Sequence, residues 1–118
     1  MTVGDLVIQY VNNEVLIGEE VTRQGLIKYV GEKLAEEAGL DPNRYRFKRD
    51  YTTIDNYRRI LQLHHILGES GTGAYVKYHN VPKNESIGSL RRKLEKGQTI
   101  YLRGQGSIME ALDELDKL

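Results

Sequence analysis

Residues 44–81 read RYRFKRDYTTIDNYRRILQLHHILGESGTGAYVKYHNV. Thr52 and Asp55 fit a capping box, in which a hydroxyl and a carboxylate three residues apart satisfy free backbone donors at a helix start. The spacing therefore predicts a helix that opens at Thr52. Ile54, Tyr57, Ile60 and Leu61 recur at helical intervals and form its inward face. Asp55, Asn56, Arg58, Arg59 and Gln62 fall on the outward face. Two apolar runs follow, Ile66-Leu67 and Ala74–Tyr78, joined by Gly68–Gly73 with its three glycines. That pattern predicts a hairpin with a flexible tip. Pro82, which has no N–H to give a ladder, ends its second strand. Arg44–Tyr51 reads as a short strand or an ordered loop.

The same stretch concentrates positive charge. Residues 1–40 carry 3 Lys+Arg against 7 Asp+Glu, residues 41–103 carry 13 against 6, and residues 104–118 carry 1 against 4. The formal net charge of zero is thus a basic middle cancelled by two acidic ends. Such asymmetry points to a polyanionic partner.

Toward the N-terminus, Val3, Leu6, Val7, Tyr10 and Val11 make the stripe of an amphipathic helix. Asn12-Asn13 is expected to interrupt it, with Glu14–Ile17 as a short strand or extended link. A second helix is expected from a Thr22 cap to Ala38, stopped by Gly39, with Leu26, Ile27, Val30, Leu34 and Ala38 buried. Asp41-Pro42-Asn43 is a turn signal. Toward the C-terminus, Ser86 or Ser89 caps a helix over 86–96 with Ile87, Leu90 and Leu94 inward, and Gly97 ends it. Thr99–Leu102 is expected as a short strand. Ser107 and Glu110 open a terminal helix whose apolar seam is Ile108, Leu112, Leu115 and Leu118. That seam either folds back or pairs with its twin as a homodimer. Residues 1–97 form the expected main domain and 98–118 a C-terminal strand and helix.

At 118 residues with no cysteine, the chain can bury a core and has neither a disulfide scaffold nor a thiolate site. No apolar run reaches the ~20 residues of a bilayer span, and no signal pattern opens the chain. A soluble, cytoplasmic protein is expected.

The order helix, strand, helix, capped helix, glycine-tipped hairpin resembles a winged helix-turn-helix. TTIDNYRRILQLHHILG followed by GTGAYVKY is similar to the recognition helix and wing of that DNA-binding superfamily. The resemblance covers about half the chain. It implies an α+β winged helix-turn-helix with a C-terminal helical extension, and a function in duplex DNA binding as a small transcriptional regulator. The chain departs from the pattern at His65, where a helix-ending glycine is usual, and in the long spacer before Tyr51.

Residue chemistry agrees with that expectation. Asn56, Arg59 and Gln62 carry the forked donors and acceptors that match purine edges. Arg44, Arg46, Lys48, Arg49, Thr52, Thr53 and Arg58, with Lys77 on the wing, suit phosphates. Without the neighbouring hairpin, the same cations would read as a solvated face. Arg91-Arg92-Lys93 and Lys96 form a second basic run, either a solubilising helix face or a flanking phosphate contact.

Other chemistries have little support. His64, His65 and His79 lack the spacing of metal ligands. Gly68–Gly73 lacks the Gly-Lys-Ser/Thr ending of a phosphate loop and leads into a strand. Glu19-Glu20 and Glu36-Glu37 are adjacent pairs that do not face one another on a helix. No enzyme activity, metal or cofactor is expected. A protein-interaction module and a replication or recombination accessory factor are the competing functions.

Overall fold

Among the described residues, the amphipathic stripes meet in one core, built from four α-helices and a small three-stranded antiparallel sheet. A computed structural model describes residues 1–41, 51–71 and 74–102. Helix α1 spans Val3–Gln9 and opens with a capping box between Thr2 and Asp5. Its turns widen into a π-helical segment, Tyr10–Glu14. Strand β1 is Glu20–Thr22 and leads directly into α2, Arg23–Ala38. Helix α3 is Tyr51–Leu63, the hairpin strands are β2, Leu67–Gly71, and β3, Ala74–Lys77, and α4 is Ile87–Glu95. The sheet order is β1-β3-β2.

Local chemistry explains the element ends. The Thr22 hydroxyl accepts from the Gly25 N–H at 3.0 Å, and Gly39 closes α2 in the left-handed conformation, φ 70°. Ser86 and Ser89 cap α4 reciprocally, and Gly97 follows the helix at φ 73°. Helix α3 gives way to the hairpin through His65 at φ 62°, the one non-glycine residue with positive φ among the described residues. The expected helix-ending turn thus falls on His65 itself.

The inward stripes of α1, α3 and α4 are as expected, and α2 joins them. Leu6, Val7 and Val11 meet Leu26 and Val30, Ile54, Ile60 and Leu61, and Ile87 and Leu90 in one buried cluster. Truncating a residue such as Leu61 to alanine would cost about 2–5 kcal/mol.

Several expectations need correction. Asn12 does not break the first helix. Its amide instead clamps Val81, donating from Nδ2 to the carbonyl at 2.9 Å and accepting the N–H at 2.8 Å. Glu14–Ile17 is not a strand, and β1 lies further on at Glu20–Thr22. Ala38 is exposed, and Ala35, one turn earlier, takes the buried position. Thr52 is already helical, so it is not the cap of α3, and Asp55 has a different partner, Arg23. The hairpin is tighter than expected because β2 continues through Gly68 to Gly71, with a bulge between Glu69 and Gly71. Gly68 is needed there, since a Cβ on it would stand 2.3 Å from the Tyr78 ring.

Thr99–Leu102 forms no strand. The Ile100 N–H donates to His64 Nδ1 at 3.0 Å, and Tyr101 stacks on His79 with ring centroids 3.7 Å apart. Ile100 and Tyr101 pack on the core, which extends past residue 97. The expected 42–43 turn residues, the 44–50 segment, the Thr72–Gly73 tip and the helix with Ile108, Leu112, Leu115 and Leu118 lie outside the described residues. Among those described, no helix is long and apolar enough to cross a membrane.

Candidate functional site

Helix α3 presents its outer face between α4 on one side and the β2–β3 hairpin on the other. Thr52, Asn56, Arg59 and Leu63 recur at i, i+4, i+7 and i+11 and are all exposed. Leu63, at the C-terminal end of that stripe, is 46% exposed. Asn56 and Arg59 lie one turn apart, about 4.5 Å along the axis. Neither side chain has a hydrogen-bond or ion-pair partner among the described residues, so their donors and acceptors remain available.

Gln62 and Arg58 belong to a different face. Arg58 Nη1 donates to Gln62 Oε1 at 3.0 Å, and the guanidinium lies 4.3 Å from the Tyr75 ring centroid on β3. Arg58 Nε is buried without a hydrogen-bond partner. The expected base reader Gln62 and the expected phosphate contact Arg58 are therefore engaged with each other, and Arg58 with the sheet. Thr53 is half-buried beside the exposed Thr52.

Lys77 corrects the expectation of a phosphate contact on the hairpin. It is 2% exposed, and its Nζ donates to the Val15 carbonyl at 2.7 Å. Burial lowers its pKa from the ordinary lysine value, with the Glu19 carboxylate pulling the other way. A side chain held inward this way cannot reach a backbone phosphate. Arg44, Arg46, Lys48 and Arg49 lie outside the described residues.

Two features of this surface were not expected. Arg23 on α2 grips Asp55 with Nε at 2.9 Å and Nη2 at 3.2 Å, across 32 residues of sequence. The paired Asp55 carboxylate raises the Arg23 pKa and in turn has its own charge balanced. No sequence signal marks that pair. The second feature is a cleft of about 230 Å³ between the start of α1, Tyr57 of α3, and Ser86, Gly88 and Arg91 of α4. The basic run at Arg91 was its only trace in the sequence.

The histidines have structural places. His64 is fully buried, and because Nδ1 accepts the Ile100 N–H, the ring proton sits on Nε2 and is donated to the Leu90 carbonyl at 2.8 Å. His64 thereby ties α3 to α4 and to the segment after it. No cluster of three metal-ligating side chains occurs among the described residues. Glu85 accepts from Lys93 and from Ser89 Oγ, and these contacts hold its carboxyl below the usual range. That cluster fastens the start of α4.

Compared with protein-family models, curated proteins and solved structures, the chain has no significant match.

Proposed function

We propose that this protein binds duplex DNA through α3, as a small transcriptional regulator. The observation that carries the reading is the exposed stripe of Thr52, Asn56 and Arg59 on a helix flanked by a hairpin. The order α1, β1, α2, α3, β2, β3 and the β1-β3-β2 pairing support a winged helix-turn-helix arrangement. In it, α3 enters the major groove, Arg59 donates to guanine O6 and N7, and Asn56 pairs with adenine N6 and N7. Thr52, in the first described turn of α3, suits a phosphate. The Arg23–Asp55 pair favours binding, because it neutralises a carboxylate that would otherwise repel the DNA backbone.

Selection from a pool of random-sequence duplexes tests this reading. An enriched motif that is lost with Arg59→Ala is expected, and a pool unchanged after repeated rounds would contradict it.

One observation favours a protein partner as a second reading. Leu16 and Ile17 are 73% and 58% exposed on a turn fastened by Gly18 N–H to the Lys77 carbonyl and Leu16 N–H to Glu19. Adjacent apolar side chains on a rigid turn suit a protein interface. Binding through them would depend weakly on salt, in contrast to counterion release from DNA.

A further inference from the structure

The two flanks of α3 carry opposite charge. Between Leu67 and Lys77 the hairpin holds one cation, Lys77 itself, and that side chain is buried. The exposed charges on this flank are Glu69 on β2 and Glu20 on β1, the latter accepting from Ser70 Oγ at 3.4 Å. A nucleic-acid backbone laid along the hairpin would meet carboxylates.

On the α4 flank cations outnumber carboxylates. Arg91, Arg92 and Lys96 are exposed against the exposed Glu95, and none of the three cations makes an ion pair with a described residue. Arg91 lines the cleft it shares with Tyr57, so a cation of α4 stands beside the helix that carries Asn56 and Arg59. Arg92 is exposed one turn after the cleft-lining Gly88, with Nη1 3.6 Å from where a Cβ on that glycine would stand. Asp5 also lines the cleft, but its carboxylate accepts the Thr2 N–H in the α1 cap at 3.2 Å. Lys93 is occupied by Glu85.

We infer that α4, and not the hairpin, holds the phosphate backbone of the duplex that α3 reads, with Arg91 and Arg92 as the contacts. This rests on the duplex-binding reading and assigns its phosphate-binding flank. The hairpin then serves as a prop for α3 through Arg58 and Tyr75.

The test is the salt dependence of binding to a labelled random duplex, compared between the parent, the double variant R91A/R92A, and K28A. Lys28 is 79% exposed on α2 and controls for loss of charge alone. Losing two phosphate contacts should make the slope of log K against log salt shallower by about 1.8, whereas K28A should keep the parent slope. Thermal melts check that the exposed substitutions leave the fold intact. A parent-like slope in R91A/R92A, with Arg59→Ala still weakening binding, would overturn the α4 assignment and leave the α3 reading standing. A parent with no salt-dependent binding would remove both.

Discussion

The Arg58 guanidinium stands 4.3 Å from the centroid of the Tyr75 ring, joining the helix that carries the candidate site to the middle strand of the sheet. The same cation is also hydrogen-bonded to Gln62, so it is held from two sides. A double-mutant cycle with Arg58→Ala and Tyr75→Leu should give a coupling of about 0.5–2 kcal/mol in urea unfolding. Strictly additive effects would show that the stack does not hold the hairpin to α3.

His64 joins three segments through its two ring nitrogens. His64→Ala removes the side-chain hydrogen bond to the Leu90 carbonyl, which keeps its helical partner within α4, and leaves the Ile100 N–H without its acceptor. A loss of about 1–3 kcal/mol is expected, the cost of one unsatisfied buried group. An unchanged unfolding midpoint would contradict this arrangement.

Glu85 predicts a feature of the acid limb. Lys93 and Ser89 hold its folded pKa below the ordinary 4.5. The stability it contributes is therefore fully present above 4.5 and is lost as pH falls through the lowered folded value. The difference in unfolding free energy between the parent and Glu85→Gln should be flat at neutral pH and shrink below 4.5. A difference independent of pH would rule out the ionised Glu85–Lys93 contact.

Much of the fold was legible because its signals are local. Thr22 and Gly39 mark both ends of α2, Ser86 and Gly97 bracket α4, and the spacing of Ile54, Tyr57, Ile60 and Leu61 names the buried face of α3. The misreadings come from contacts made across the chain. Asn12 looks like a helix breaker until Val81 arrives to meet its amide, and Asp55 looks like a cap until Arg23 takes it. Lys77 sits in an alternating strand whose polar positions are expected outside, yet the Val15 carbonyl draws it in. Within the site, Asn56 and Arg59 were legible from helical period alone. Gln62 was placed with them, although a rotation of 100° per residue carries it toward the hairpin, where Arg58 meets it.

Arg59 is the residue on which the proposed function depends most. Replacing it with alanine removes an exposed side chain with no hydrogen bond or ion pair to a described residue, so the fold should be little affected while specific binding weakens by about 1–3 kcal/mol.

Fluorescence anisotropy of a labelled duplex, titrated with the parent protein from low to physiological salt, tests the central claim most directly. Binding that is present at low salt and falls steeply as salt rises is the predicted result. Absence of binding even at the lowest salt would contradict the assignment of α3 as a DNA-reading helix.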